Sequence, residues 1–256
     1  MMPTLAVTLT HRARFVWLTG ALAATAFAFI ASRPRRVEIR QPLDKIGHCV
    51  ERHARLAPAP LDDVRPPVAA DLVAYTKDMP PDDGIVATID TNLGALHCDL
   101  YVHQAPIAVA NFIGLATGQK PWKNPETGAT ERGKPFYDGL TLHRVIPGFV
   151  IQGGDPRGNG TGGPGYTFEN EISADLHFSP GMLAMANKGD VASNGSQFFI
   201  TEGSPGWLDG RHTIFGRCHE VDLVENLARV PSYLDRPNQP LTIDHITFAA
   251  PKPIDD

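Results

Sequence analysis

The chain has 256 residues, of which 42% are hydrophobic and 20% charged, and its formal net charge is −5. This length and composition allow one large domain with appendages or two small domains, and they exclude collagen and a wholly disordered chain. Residues 1–60 carry nine Lys/Arg against three Asp/Glu, whereas residues 61–256 carry 14 against 25. The acidic main part argues against nucleic acid as a partner, because phosphate binding needs a cationic surface.

The three cysteines are too few and too widely spaced to staple a small fold, and no C-x-x-C pair predicts a zinc site. Cys98 and Cys218 are expected to be small buried core residues rather than nucleophiles. No H-E-x-x-H spacing occurs among the ten histidines, so the sequence predicts no metal centre. We therefore expect the fold to be stabilised by packing.

The first feature along the chain is an uncharged run of 17 residues, Phe15–Ala31, with arginines on both sides. Its length is at the short end of what spans a bilayer, and Ala26-Phe27-Ala28 is an A-x-A cleavage pattern. A retained single-pass anchor and a removable signal peptide both fit residues 1–32. The four arginines that follow favour the anchor, with the alternative of a secreted or periplasmic protein after cleavage, and they leave the side of the membrane open.

Residues 33–83 are rich in Arg, Pro and Asp, which is typical of a linker or stalk. Leu43–Leu56 within them could form a short amphipathic helix. From Gly84 the pattern changes to alternating apolar and polar residues on either side of Asn92-Leu93-Gly94, which predicts a hairpin. Pro106–Thr117 then has the apolar spacing of a helix that begins at a proline and ends before Gly118.

Residues 119–139 are predicted to be a long polar loop. After it, short apolar runs separated by glycines predict strands, Val221–Val230 predicts a second helix and Thr242–Ala249 a last strand. The runs are Val145–Ile151, Met182–Ala186, Gln197–Thr201 and His212–Gly216. Many short strands with two helices predict a mainly β domain over residues 84–250, built as a closed β-barrel capped by two helices, with a tail at 251–256.

Three dense motifs lie within this domain: LHRVIPGFVIQGGD at Leu142–Asp155, MLAMANKGDVASNGSQFFIT at Met182–Thr201 and WLDGRHTIFG at Trp207–Gly216. In order and spacing they resemble the cyclophilin family, and the resemblance runs from about Ile85 to Phe248. It implies an eight-stranded antiparallel barrel closed by two helices. It also implies a peptidyl-prolyl cis-trans isomerase that acts on proline-containing polypeptide segments and assists protein folding.

That reaction needs no cofactor, metal or nucleophile, because no bond to carbon breaks. The twisting amide loses its resonance and returns a lone pair to the prolyl nitrogen, which a fixed cation can stabilise. By its place in the RVIPGF motif, Arg144 resembles the family's catalytic arginine.

The resemblance also implies a set of substrate-binding residues. Some would form the apolar cup for the proline ring, others would hold the flanking peptide, and Trp207 matches the tryptophan associated with cyclosporin binding. The set is Phe149, Val150, Gln152, Gly160, Ala186, Asn187, Lys188, Gln197, Phe199, Trp207, Leu208 and His212. Val150 replaces a methionine common in the family. Lys188 replaces a small residue, which would add charge at the rim of the groove.

Each assignment has a simpler alternative. Phe149 and Phe199 could be ordinary core residues, His212 a structural histidine, and Arg144 the partner of a surface carboxylate. For the whole protein, two other interpretations compete with a membrane-targeted isomerase: a proline-peptide binding module that tethers partners at the membrane, and a structural anchor whose barrel is only a scaffold.

Overall fold

A computed structural model of the chain describes residues 63–79 and 84–251. In this part the helices are α1 (Ala69–Tyr75), α2 (Pro106–Ala116) and α3 (Val221–Ala228), with a 3-10 helix at Gly206–Leu208. The first six strands are β1 (Ile85–Thr91), β2 (Gly94–Leu100), β3 (Trp122–Lys123), β4 (Thr130–Glu131), β5 (Arg144–Ile146) and β6 (Val150–Gly153). The others are β7 (Met182–Met185), β8 (Phe198–Thr201), β9 (Ile214–Cys218), β10 (Ser232–Tyr233), β11 (Arg236–Pro237) and β12 (Ile243–Ala249).

Eight of these strands form one antiparallel sheet in the order β12-β1-β2-β9-β7-β8-β6-β5. The pairs β3-β4 and β10-β11 are separate two-stranded hairpins. The predicted hairpin around Asn92-Leu93-Gly94 is confirmed, since Ile85 pairs with Leu100 and Thr91 with Gly94. The predicted mainly β domain with eight antiparallel strands and helices is confirmed as well.

The prediction of a closed barrel is wrong, because the ladder stays open between β5 and β12. Strand β5 has only three residues and pairs with β6 alone. At the open edge the irregular segment 139–142 makes isolated backbone hydrogen bonds, of which Leu142 N–H to Leu241 O and Ile243 N–H to Leu140 O are both 2.8 Å long. The sheet is therefore a half-barrel whose gap is bridged by a loop.

Helix α2 fills the concave side of the half-barrel, and all of its residues from Ala108 to Ala116 are buried. Phe112 on this helix contacts four aromatic rings at centroid distances of 5.2–6.0 Å, namely Tyr137, Phe198, Phe215 and Phe248. Glu171 accepts hydrogen bonds from the N–H groups of Ile107 and Ala108, which satisfies two free donors at the first turn of α2. These contacts form the main core.

Helix α1 lies within residues 33–83, which the sequence predicts to be a linker. Tyr75 of this helix is 3% exposed and packs over Gly114 of α2, where an added Cβ would lie 2.6 Å from Tyr75 Cε2. The buried Asp71 carboxylate accepts from Val68 N–H at 3.0 Å and from the Arg65 guanidinium at 2.7 Å. The packed unit therefore includes residues upstream of Gly84.

The predicted apolar N-terminal segment, the Leu43–Leu56 helix and the end of the tail lie outside the described residues. Within residues 63–79 and 84–251, no helix has both the length and the hydropathy to cross a membrane.

Cys98 and Cys218 are both fully buried and lie opposite each other in the β2-β9 pair, where they form a disulfide. Their burial agrees with the sequence-based expectation. Their pairing was not predicted, because the two residues are 120 positions apart in sequence.

Candidate active site

Strands β6, β7 and β8 carry buried apolar side chains on both faces. One face packs into the main core, and the other face carries the candidate site. Alternate side chains of β8 point to opposite faces, so Phe198 and Ile200 join the main core while Phe199 joins a second, smaller cluster. That second cluster consists of Val150, Phe178, Met182, Ala184, Phe199 and Ile214, with Phe149, Leu208 and Ala186 packed at its edge. Five of the predicted binding residues thus meet on one face of the sheet.

A row of cross-strand partners continues this face from β7 to β5. Ala184 pairs with Phe199, Phe199 with Gln152, and Gln152 with Arg144. Because directly paired residues project to the same face, the predicted catalytic arginine lies beside the predicted apolar cup. The sheet register therefore brings together residues from two separate sequence motifs, Leu142–Asp155 and Met182–Thr201.

A chain of hydrogen bonds runs along the polar side of the row. Arg144 Nη1 donates to Gln152 Oε1 at 3.3 Å, and Gln152 Nε2 donates to Gln197 Oε1 at 3.0 Å. Gln197 Nε2 then donates to the Gly162 carbonyl at 2.9 Å. Each amide has a fixed orientation as a result, so the guanidinium of Arg144 is held in place while its side chain remains 41% exposed.

The apolar wall beside Arg144 is aromatic. Phe199 contacts the His212 ring edge to face at 5.3 Å and stacks on Phe178 at 5.7 Å. Phe149, half-buried, stacks on Trp207 at 5.7 Å, and Trp207 is 65% exposed. Phe199 and Phe178 are each only 4% exposed, so the accessible part of this aromatic surface is formed by Phe149, Trp207 and His212. Such a surface suits a bulky apolar ring such as that of proline.

His212 is a neutral part of that wall. Burial lowers its pKa, and the neighbouring Arg211 acts in the same direction, while a hydrogen bond to the Met185 carbonyl partly opposes both. Nδ1 lies 3.1 Å from that carbonyl oxygen, which accepts only, so Nδ1 carries the proton. The imidazole is therefore oriented and uncharged at neutral pH.

The segment after β7 borders the groove on its other side. Ala186 N–H donates to the Gln197 carbonyl at 2.9 Å, and Asn187 Nδ2 donates to the Arg211 carbonyl at 2.9 Å. Lys188 is exposed, and its ammonium has no ion-pair partner among the described residues. The backbone of this segment is thus fixed from both flanks.

A cavity of about 500 Å³ adjoins this segment and the two glutamines. Besides Gln152 and Gln197, its wall includes Gly160, Ala186 and Asn187 from the predicted set, and its charged lining residues are Arg157 and Lys188. No carboxylate from residues 63–79 or 84–251 lines it. The groove therefore combines an apolar aromatic surface at one place with a cationic cavity at another.

The loop that forms one wall of this cavity is held by Asp155, a residue for which the sequence predicts no role. Burial by itself would raise the pKa of the Asp155 carboxyl, but backbone N–H donors, among them those of Arg157, Asn159 and Gly160, lower it overall. A buried anion with several donors fixes its loop. The only sequence signal for it was its place at the end of the QGGD motif.

Two further contributors were missed. Phe178, which stacks on Phe199, lies between the first and second motifs in a stretch without strand periodicity. Asp235 Oδ2 lies 3.5 Å from Arg144 Nε. Arg144 therefore does pair with a surface carboxylate, as the simpler alternative proposed. It nevertheless lies beside the apolar cup, and its side chain stays partly exposed.

Among the described residues, no group of three or more His, Cys, Asp or Glu side chains is arranged to hold a metal ion. The described side chains of the site supply a fixed guanidinium, oriented amides and an aromatic surface.

Comparison with known proteins assigns the family. Residues 86–248 match the family model described as cyclophilin type peptidyl-prolyl cis-trans isomerase/CLD. Peptidyl-prolyl cis-trans isomerase B of Streptomyces anulatus is 47% identical over 168 residues, which cover 63% of this chain and 95% of that protein. Probable peptidyl-prolyl cis-trans isomerase A of Mycobacterium leprae is 46% identical over 168 residues, covering 64% of this chain and 91% of the relative.

Solved structures agree. The crystal structure of a Cryptosporidium parvum cyclophilin type peptidyl-prolyl cis-trans isomerase matches with a TM-score of 0.56 and 33% identity, over 66% of this chain and 99% of that one. A second structure of that protein, in the presence of the dipeptide Ala-Pro, matches with a TM-score of 0.53 and 34% identity, over 63% of this chain and 96% of that one. The chain belongs to the cyclophilin-type peptidyl-prolyl cis-trans isomerase family.

Proposed function

We propose that this chain catalyses cis-trans isomerisation of X-Pro bonds in flexible polypeptide segments and thereby assists protein folding, with Arg144 as the catalytic residue. The observation that carries the proposal is the position of Arg144. It is fixed by Gln152 on the same face of the sheet as the Phe199 and His212 wall. A cation and an apolar cup in that relation match what a twisting prolyl amide requires.

The energetics support such a site. Rotation about an X-Pro bond has a barrier of about 18–20 kcal/mol and takes on the order of 10–100 s without assistance. As the amide twists, its lone pair returns to the prolyl nitrogen, and Arg144 donates a hydrogen bond to it. A preorganised donor of this kind contributes about 3–4 kcal/mol, or roughly 10²–10³ in rate.

The remaining residues hold the substrate so that only one end of the bond rotates. Phe149, Phe199, Leu208 and the neutral His212 receive the ring, and the small Val150 lies buried beneath them. The fixed 186–188 segment and Gln152 bind the peptide backbone. The Cryptosporidium relative solved with Ala-Pro supports a proline-containing ligand, and the exposed Trp207 is the residue through which cyclosporin would bind.

The cationic cavity extends this proposal to the residues flanking the proline. Arg157 and Lys188 line it, with no opposing carboxylate in the part of the chain that the structure describes. Gln152 and Gln197 connect it to Arg144. We expect it to receive an acidic or hydrogen-bond-accepting side chain of the substrate.

The location of the enzyme is also a proposal. The apolar run Phe15–Ala31 supports membrane targeting, as an anchor or as a cleaved signal, and the Cys98–Cys218 disulfide supports an oxidising compartment. Alkylation of cell fractions under denaturing conditions and without reduction tests this, because both cysteines are buried in the folded protein. Cys98 and Cys218 should be protected in a membrane or extracytoplasmic fraction, and finding them as free thiols in the cytoplasm would contradict the proposal. The N-terminal residue of the mature chain distinguishes anchor from signal peptide.

The activity is tested with the full chain in mild detergent, using an exchange NMR or protease-coupled assay on a tetrapeptide that contains one X-Pro bond. The expected result is isomerisation far above the uncatalysed rate. Peptide binding with isomerisation at the uncatalysed rate would instead identify a binding module, and a chain that neither binds nor catalyses would be a scaffold.

A further inference from the structure

The β10-β11 hairpin, residues 232–237, has an apolar tip that the core does not use. Tyr233 is 74% exposed and Leu234 is 82% exposed, and neither belongs to the main core or to the second cluster. Leu234 and Asp235 both have positive φ, at 48° and 63°. Aspartate tolerates this left-handed conformation, whereas leucine suffers a steric cost there. The fold thus keeps a large apolar side chain in water at an unfavourable backbone position.

The hairpin is fixed beside Arg144. The Asp235 carbonyl accepts from Val145 N–H at 2.7 Å, and the Asp235 carboxylate lies 3.5 Å from Arg144 Nε. The next residue, Arg236 on β11, donates from Nη2 to the Gly158 carbonyl at 2.8 Å. Tyr233 and Leu234 are therefore held next to Arg144 by a turn whose two following residues are bonded to two different segments of the domain.

The groove consequently has two different ends. From Arg144 the hydrogen-bond chain leads through Gln152 and Gln197 to the cationic cavity. The tip lies on the other side of Arg144 from Gln152, because Asp235 bonds to Val145 on β5, the last strand of the sheet, whose other edge pairs with β6. Since an extended chain advances about 3.3–3.6 Å per residue, a peptide bound at Arg144 would pass the tip within roughly two to four residues of its proline.

We propose that Tyr233 and Leu234 form an auxiliary docking surface for an apolar side chain of the substrate, on one flank of the proline. The proposal rests on the proposed function. Its occupant is the polypeptide substrate itself, because the tip is continuous with the groove. Segments that need help in folding expose apolar residues that would gain from burial against a tyrosine and a leucine.

The test compares the full chain with the double variant Tyr233→Ser, Leu234→Asn, in which asparagine accepts the left-handed turn. Val73→Ser, which removes an equally exposed (74%) side chain on α1, is the matched control. Each protein is assayed on a proline tetrapeptide and on a set of ten-residue peptides. Those peptides carry one proline and a single leucine that replaces serine at successive positions on either flank.

For the wild type and the control, leucine two to four residues from proline should raise kcat/KM on one flank only, by about fivefold, the size expected for partial burial of one leucine. The double variant should lose this gain while its tetrapeptide kcat/KM stays within about twofold of the wild type. No leucine gain in the wild type, or the same gain in the double variant, would overturn the proposal. A wild-type protein that does not isomerise the tetrapeptide would instead contradict the proposed function.

Discussion

Gln152 lies directly opposite Arg144 in the β5-β6 ladder and accepts a hydrogen bond from its guanidinium at 3.3 Å. The same amide donates to Gln197 at 3.0 Å, so a flip that exchanged its oxygen and nitrogen would lose both bonds. Arg144 is thereby aimed by a group that is itself oriented. This relationship makes the arginine a preorganised donor rather than a mobile surface cation, and several predictions about catalysis depend on it.

Removing the guanidinium should remove most of the catalysis while leaving peptide binding nearly intact. Arg144→Ala should lower kcat/KM on a proline tetrapeptide by roughly 10²–10³, because the donor acts on the twisted amide. Arg144→Lys keeps the charge without the planar fork and should recover only part of the rate. Exchange NMR gives the rate, and calorimetry with the same peptide gives the affinity.

Arg217→Ala, at an exposed arginine on β9, is the control and should behave like the wild type. An Arg144→Ala protein of wild-type activity would disprove this mechanism.

The value of kcat should depend on how the Gln152 amide is oriented, and not only on whether a hydrogen-bond acceptor is present at this position. In Gln152→Glu the carboxylate still accepts from Arg144 but can no longer donate to Gln197, whereas Gln152→Leu loses both bonds. A hydrogen bond to a charged group contributes about 1.5–3 kcal/mol, so Gln152→Leu should lower kcat by roughly 10- to 100-fold, with a smaller loss for Gln152→Glu. Equal kcat in all three proteins, measured at saturating peptide, would show that Gln152 does not position the arginine.

The titration of His212 should set the acid limit of peptide binding. Its pKa lies below the ordinary value near 6.5, because burial disfavours the imidazolium. In the folded protein His212 is therefore neutral above about pH 6.5. The contribution of the neutral imidazole to stability and to peptide binding is lost as the pH falls through the lowered pKa. Peptide affinity should be flat above about pH 7 and should fall about tenfold per pH unit well below that pKa.

The His212→Gln variant serves as the control for this pH dependence. Glutamine can still donate to the Met185 carbonyl but does not titrate, so its affinity should be lower overall and should not show the acid limb. The same acid limb in His212→Gln would assign the titration to another group. His143 is the first candidate, because burial lowers its pKa too.

The cationic cavity predicts a charge preference. Peptides with glutamate near the proline should be better substrates than their lysine counterparts, and Lys188→Glu should reverse this order. The preference should weaken in high salt, because Lys188 and Arg157 are both exposed. Lys77→Glu makes the same change in net charge at an exposed residue outside the cavity and should keep the wild-type order. An unchanged order in Lys188→Glu would show that the substrate side chain does not enter the cavity.

The sequence allowed much of this site to be predicted because three motifs supply its strands. Gln152 and Phe199 alternate with core residues at a period of two, so a motif that specifies the strand also specifies which side chains share a face. The hairpin Ile85–Leu100 and helix α2 were likewise predictable from local periodicity. These features depend on residues close in sequence.

What could not be predicted depends on contacts between distant segments. Whether β5 reaches β12 is decided by the length of β5 and by the loop at 139–142, and neither follows from a strand pattern. Asp235 reaches Arg144 only because its hairpin bonds to Val145, and the Cys98–Cys218 disulfide requires the register of β2 on β9. Helix α1 has only seven residues in a Pro-rich stretch, and its stability comes from packing on α2 rather than from its own propensity.

The packing of α1 on α2 gives the last prediction, which concerns stability. At Gly114 an added Cβ would lie 2.6 Å from Tyr75 Cε2 and 2.9 Å from Lys120 Cβ. Gly114→Ala should therefore displace α1 and lower the free energy of unfolding by about 1–3 kcal/mol, the usual cost of overpacking. Thermal unfolding followed by circular dichroism measures the loss. Gly206→Ala, where no atom lies within 4 Å of the added Cβ, is the matched control and should change little.

A double-mutant cycle separates this steric clash from a general loss of stability. Tyr75→Ala removes the ring that the added methyl group would meet, so Gly114→Ala should cost less in the Tyr75→Ala background than in the wild type, with a coupling well above the error of about 0.5 kcal/mol expected for independent sites. Tetrapeptide isomerisation by the folded single variants should stay at the wild-type rate, because no residue of the candidate site belongs to α1 or α2. Additive losses would mean that α1 does not pack on Gly114 as the structure has it.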